Sequence, residues 1–331
     1  LAALTRGVPP VMGSGAHGFV PIPGELKAIC NKAMSPKSRD RYPSADAMRA
    51  DLEAYLEQMA SGGFNLIQER SLFVGDLRDE ALLDKVLRGV DYALHHAAVA
   101  SVQTSVARPL FEQEVNAVGT LRFFEAALRA GVGRVVFAAS AAAYGNNPTV
   151  PKREQMIPEP ESPYAISKVM GEYYARVYSQ LYGLQVVCLR YFNVFGPRQD
   201  PSSPYSGVIS IFAERMLKGE APVIFGDGAQ SRDFVYVDNI VEANMRACIT
   251  PEAAGRVYNI GCERSVSILE LVAALNEILG TALDPVFNPA RQGDVRVSLA
   301  DIAQARTQLG YEPIVHFAEG LQQTVAWMKS L

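Results

Sequence analysis

Between residues 71 and 192 the chain alternates short apolar runs with segments of helical period, and few folds accept that pattern. The runs are SLFVGD (71–76), DYALHHAA (91–98), RVVFAAS (134–140) and QVVCLRYF (185–192). Between them stand ALLDKVLRGV, PLFEQEVNAVGTLRFFEAALRAG and PYAISKVMGEYYARVYSQLYG, whose apolar residues recur every three to four positions. Apolar runs of five to eight residues separated by helices read as successive βαβ units. Parallel strands need such crossovers, and helices on both sheet faces bury the strands completely. The expected fold is therefore α/β, with a doubly wound parallel sheet. Residues 193–331 continue with shorter elements, such as SILELVAALNEILG and FAEGLQQTVAWMKS, and predict a smaller lobe.

Residues 1–62 read differently. GELKAICNKAM is helical, SPKSRDRYPS is a polar break, and ADAMRADLEAYLEQMA is a second amphipathic helix with Ser44 as N-cap and Gly62–Gly63 as its stop. Gly13, Gly15 and Gly18 of GSGAHGFV match the spacing of a dinucleotide-binding turn, which works only between a strand and a helix. Pro9 and Pro10 precede the glycines and oppose a central strand; Pro21 and Pro23 follow and oppose a helix start. A loop is the expectation there. The appendage is expected to end at residue 62, with one domain over 63–331 whose smaller lobe is drawn from roughly 193–215 and 260–331.

Charge and composition remove several classes of function. A net charge of −4 over 331 residues offers no basic field for nucleic acid and no cationic face for a membrane. The longest apolar stretch, VVFAASAAA, is too short to span a bilayer, and no secretory leader is expected. Cys30, Cys188, Cys248 and Cys262 are scattered, which reads as free thiols in a reducing cytoplasm. The four histidines show no metal-ligand spacing, so no metal is expected.

The strongest chemical signal is YAISK. Ser162 can cap a helix that has Pro163 at its first position, which sets Tyr164 and Lys168 four residues apart on one face. A tyrosine acting as a base near neutral pH must lose about three pKa units, worth roughly 4 kcal/mol. One ammonium at about 4 Å in a medium of effective dielectric ~20 supplies that much. Ser140, at the carboxyl end of an expected central strand, is placed to join the pair, because ligands of open α/β sheets bind beyond those strand ends.

Ser140, Tyr164 and Lys168 in this order resemble the extended short-chain dehydrogenase/reductase family, which has a Rossmann-like sheet. Further matches in order are GDLRD (75–79), HHAAVASV (95–102), NAVGT (116–120), LRYFNVFGPRQ, GDGAQSRDFVYVDN (226–239), YNIG (258–261) and RQGDVRVSLAD (291–301). Within that family the wording is most similar to nucleotide-sugar 4-epimerases, particularly those acting on UDP-N-acetylhexosamines. Related 4,6-dehydratases carry Asp-Glu directly after the serine, and UDP-glucuronate decarboxylases a glutamate at the second of those positions. This chain has Ala141 and Ala142.

The resemblance implies a homodimer built on the helices at 109–131 and 163–183, with NAD as cofactor and a UDP-sugar as substrate. Tyr164 would take the proton of the sugar 4-OH as hydride leaves C4, Ser140 would bond the reacting oxygen, and Lys168 would hold the ribose and tune Tyr164. Asp76 and Leu77 would contact adenine, Ala97 and Ala98 would line the cofactor channel, Asn116 would order the central helix, and Phe192 would lie beside the nicotinamide. Asn193, Arg232, Arg291 and Asp294 would hold the UDP, and Ser101 would approach the sugar. Ser298 stands where a large aromatic excludes an N-acetyl group, so it implies room for N-acetylated sugars.

Family members begin with a strand, a glycine-rich turn and a helix that cradle the cofactor's pyrophosphate. Here PGELKAICNKAM and RYPSADAMRADLEAYL occupy that place, and they resemble the last two helices of bacterial Ser/Thr protein kinase C-lobes. Arg41 matches an arginine that pairs in kinases with a glutamate this chain lacks; with no catalytic loop or ATP lobe, kinase activity is not expected. Lacking the first β-α-β unit, the strand at 91–98 is expected to become a sheet edge unless 71–76 or FNLI pairs with it. Two readings stay open: a UDP-glucose or UDP-N-acetylglucosamine type 4-epimerase, and a catalytically impaired fusion remnant that binds UDP-sugar without the cradle.

Overall fold

The computed structural model describes residues 3–5, 73–199, 207–290 and 295–330. The glycines at 13, 15 and 18, the two helices expected within 1–62, Cys30, Arg41, Arg291 and Asp294 lie outside the described residues. Gly75–Lys329, with the first few residues, form one compact unit.

Its centre is a five-stranded sheet in the order β1 (Ala3–Thr5), β2 (Tyr92–His95), β3 (Arg134–Ser140), β4 (Val186–Tyr191) and β8 (Val257–Ile260). β2, β3, β4 and β8 run parallel, with Tyr92 opposite Arg134, Val135 opposite Val186 and Cys188 opposite Val257. The helices follow from sequence as expected. Pro109–Gln113, a π-helical turn at Glu114–Val118 and Gly119–Ala130 form one continuous rod, which Gly131 ends in the left-handed conformation (φ 68°). Pro163–Val177 starts on the Ser162 cap, whose hydroxyl accepts from Ala165 N at 3.2 Å, with Pro163 in the first turn. Gly171 lets this helix settle on the sheet: a Cβ there would stand 2.4 Å from Phe137 Cζ. β3 and β4 are buried on nearly every residue, as a doubly covered sheet requires.

Two expectations are corrected. The described part of SLFVGD, residues 73–76, is not a strand, and Val74 is 89% exposed. The neighbour of β2 is instead Ala3–Thr5, so β2 is not the edge. Three residues carry too little periodicity to be legible in sequence, whereas pairing with β2 satisfies hydrogen-bonding groups that an apolar edge would leave open.

Beyond β4 the chain also builds a smaller lobe within the same unit. β5 (Asn193–Phe195), β7 (Ser231–Tyr236) and β9 (Ser265–Ser267) form one small sheet, and β6 (Val223–Phe225) pairs with β10 (Val286–Asn288) in another. Helices Val208–Leu217, Ile268–Leu279 and Phe317–Met328 close a separate core around Phe195, Phe212, Phe234, Leu271 and Leu321. No helix among the described residues is long and apolar enough to cross a membrane.

Candidate active site

Because β2, β3, β4 and β8 are parallel, their carboxyl ends share one rim. The loop Ala97–Ala100 leaves β2 there, Ser140 ends β3, and Phe192 and Asn193 follow β4. Ser140 Oγ accepts a hydrogen bond from Ala142 N at 3.1 Å, which caps the 3-10 turn Ala141–Tyr144 and fixes the serine rotamer. Tyr164 stands in the first turn of the helix packed against β3, where its phenol feels the Ser140 hydroxyl. One turn on, Lys168 is buried, and its Nζ donates to Ala138 O at 2.7 Å. The three expected residues are thus brought together.

Their electrostatics correct one expectation. Burial raises the Tyr164 phenol above its ordinary value, the nearby Ser140 hydroxyl opposes that rise, and the Glu112 carboxylate adds to it. Burial likewise lowers Lys168 to about 8, against the pull of Glu112. The ammonium therefore does not bring Tyr164 down here. It is drawn to Ala138 O, and its Nζ lies 5.8 Å from the Tyr164 ring centroid.

Beside this rim opens a cavity of about 460 Å³, bounded by Ala100, Phe192, Asn193, Phe225, Gln230 and Arg232 among others. Arg232 Nη1 donates to Ser231 O at 2.9 Å and Val295 O at 2.6 Å. Asn193 Nδ2 reaches Asp233 O at 3.4 Å and Ser298 Oγ at 3.5 Å, which places Ser298, mostly buried, next to the cavity wall. Asp233 is fully buried; burial raises its carboxyl to about 7, opposed by hydrogen bonds from the Cys262 and Ala300 backbone.

The sequence pattern of the NAD dependent epimerase/dehydratase family matches residues 38–261. This chain belongs to that family. The UDP-glucose 4-epimerase of Mycolicibacterium smegmatis is 43% identical over 237 residues, spanning 71% of this chain and 75% of that protein. Among solved structures, a UDP-N-acetylglucosamine 4-epimerase from Methanobrevibacter ruminantium in complex with UDP-N-acetylmuramic acid superposes with a TM-score of 0.75 at 41% identity, covering 78% of this chain and 83% of that one. The Thermus thermophilus UDP-glucose 4-epimerase complex with NAD gives 0.72 at 36% identity, covering 82% and 94%.

The other expected family positions fall in varied places. Asn116 is buried in the π-helical turn and clamps the loop after β2: its Oδ1 accepts from Val99 N at 2.7 Å and its Nδ2 donates to Val99 O at 2.9 Å. A π turn inside an α-helix is frequent at functional sites. That clamp holds Ala97 and Ala98, both half-buried, at the rim. Ser101 is buried as the cap of helix Val102–Ala107, with Oγ accepting from Thr104 N at 3.0 Å. Asp76 is at the surface, held by Arg78 through its backbone N, Nε and Nη2 at 2.8–2.9 Å; that bonding lowers its carboxyl to about 2. Leu77 packs against the sheet core nearby.

Sequence reasoning passed over several residues here. Gln230 is 8% exposed and donates Nε2 to Phe225 O at 2.7 Å, and its buried Oε1, on the cavity wall, has no partner among the described residues. Glu112 is fully buried behind Lys168, and Glu172 forms a buried ion pair with Arg190 at 2.7 Å. A glutamate at helical spacing reads as surface, and only the packing of a second helix over it says otherwise.

Proposed function

We propose that the chain is a UDP-sugar 4-epimerase that uses NAD. The observation that carries this reading is the convergence of Ser140, at the carboxyl end of β3, with Tyr164 in the first turn of the packed helix and Lys168 one helical turn on. The residues present suit the nicotinamide-ribose half of the cofactor. Lys168 spends one of its three N–H groups on Ala138 O and keeps two for ribose hydroxyls, beside the Ser140 and Tyr164 hydroxyls. When bound, NAD supplies a hydride acceptor and donor at the sugar C4 and a cationic ring. Tyr164 takes the proton of the 4-OH and returns it, Ser140 holds the reacting oxygen, and Phe192 excludes water at the rim. Arg232 and Asn193 hold the diphosphate, with Arg291 and Asp294 assigned to the same task, and Gln230 Oε1 offers an acceptor to the base. Asp76 and Leu77 take the adenine end; Ala97 and Ala98 line the channel.

Ala141 and Ala142 favour epimerisation over its relatives' chemistry. Both sit in the 3-10 turn capped by Ser140, and neither can protonate a leaving hydroxyl or stabilise a carboxylate departure. Ser298 leaves room that a large aromatic would fill, which favours N-acetylated sugars. The domain division is proposed as an appendage over 1–62 and an epimerase domain over 63–331, acting in the cytoplasm.

The test is direct. Protein purified without added cofactor is denatured and the supernatant assayed for NAD, then UDP-N-acetylglucosamine turnover is followed. Released NAD and epimer formation are expected; a protein that carries no NAD, takes up none when it is supplied and shows no turnover refutes the reading and leaves the UDP-sugar-binding remnant. The dimer is proposed on the helices at 109–131 and 163–183, where Leu110, Leu181 and Tyr182 are 55–80% exposed. Leu110→Glu is expected to convert a dimer to a monomer in sedimentation analysis, and an unchanged dimer would displace the interface elsewhere.

A further inference from the structure

One buried charge has no part in the chemistry described so far. Glu112, in the turn Pro109–Gln113, has no exposed surface. Its carboxylate receives three hydrogen bonds: Ser167 Oγ donates to Oε1 at 2.7 Å, Asn116 Nδ2 donates to the same oxygen, and Gln113 Nε2 donates to Oε2 at 2.8 Å. Donors aimed at both oxygens suit an ionised carboxylate, which accepts only. Among the described residues it forms no ion pair. Gln113 also donates to Pro163 O at 2.8 Å, so the same cluster ties the start of the Tyr164 helix to the Glu112 turn.

Ser167 is the neighbour of Lys168, whose buried ammonium has a carbonyl partner but no carboxylate in contact. The other groups that face the pair are compensated or neutral. Glu172, one turn beyond Lys168, is held by Arg190 Nε and Nη2 at 2.8 and 2.7 Å. His95 and His96, at the end of β2, are pushed toward their neutral forms by burial first and by the Lys168 charge. β3 presents Phe137, Ala138 and Ser140, none of them charged.

We propose that Glu112 is a positioning residue whose ionised carboxylate, anchored by Ser167, Asn116 and Gln113, sets the pH range over which the Tyr164–Lys168 pair works. The inference rests on the assignment of Tyr164 as the base. The Glu112 charge raises both groups, the phenol and the ammonium. Removing it therefore lowers both. The form with Tyr164 deprotonated and Lys168 protonated rises through the lower of the two titrations and falls through the higher, so both limbs move to lower pH together.

The experiment is a tyrosinate absorbance titration of the full chain, taken as the difference between the protein and its Tyr164→Phe variant, repeated in a Glu112→Gln background. The pH profile of epimerisation is measured alongside. The Tyr164 titration and both limbs of the profile are expected to move down by about one pH unit. A lower rate at every pH with no movement of either readout overturns the inference and leaves Glu112 a packing residue. Where Glu112→Gln does not fold, Glu112→Asp keeps the charge and loses contacts. A titration at the original position then supports the inference, and one displaced to lower pH overturns it. The titration needs no turnover, so an inactive protein refutes the epimerase reading without deciding the role of Glu112.

Discussion

Tyr164→Phe is expected to lower the epimerisation rate by about 10²- to 10⁴-fold, the span that a positioned acid–base group contributes. The substitution removes one oxygen from a helix whose start is fixed by the Ser162 cap and whose body is fixed by Gly171 against Phe137, so the fold is retained. Ser140 keeps its bond from Ala142 N, which holds the end of β3 in place. UDP binding by calorimetry is expected to stay within a few-fold, because Arg232 and Asn193 border the neighbouring cavity rather than the phenol. A variant that retains turnover within tenfold of the parent would remove Tyr164 as the base.

Glu172→Ala is expected to cost about 3–5 kcal/mol of stability. Glu172 and Arg190 are about 95% buried, joined by two parallel bonds at 2.8 and 2.7 Å between the Tyr164 helix and β4. Cutting one partner strands a guanidinium that lies 4.7 Å from the Tyr144 ring centroid and has no route to water. A large fall in the denaturant midpoint checks this. The double substitution Glu172→Leu with Arg190→Leu is expected to recover most of the loss, since it leaves no unpaired charge. If the single variant loses less than 1 kcal/mol, the pair is not the buried anchor described.

The βαβ periodicity was legible because strands β3 and β4 are buried on both faces, and continuous apolar runs have no other use at that length. Ser140, Tyr164 and Lys168 were legible for a related reason. Their spacing follows from one cap, one helical turn and one strand end, all local. The partner of β2 was not, since residues 71–76 look more like a strand than Ala3–Thr5 does. Strand pairing is a contact between distant segments, and the apolar character of SLFVGD says nothing about whether an edge is open to it.

The electrostatics of the site were misread from sequence for the same reason. Y-x-x-x-K guarantees that a lysine lies one turn from a tyrosine, and nothing more. Burial of both side chains, the pull of Ala138 O on the ammonium and the charge of Glu112 decide the outcome, raising the phenol instead of lowering it. The sequence by itself determined a parallel α/β sheet, the rim on which chemistry would sit, and the order of the residues that reach it. These depend on period and caps, which act within a few residues. Only the tertiary structure decided which segment covers β2, which glutamates are buried, and how hard the base is to ionise. Each of those is set by the water excluded when remote segments meet, and a single segment read alone carries no record of that exclusion.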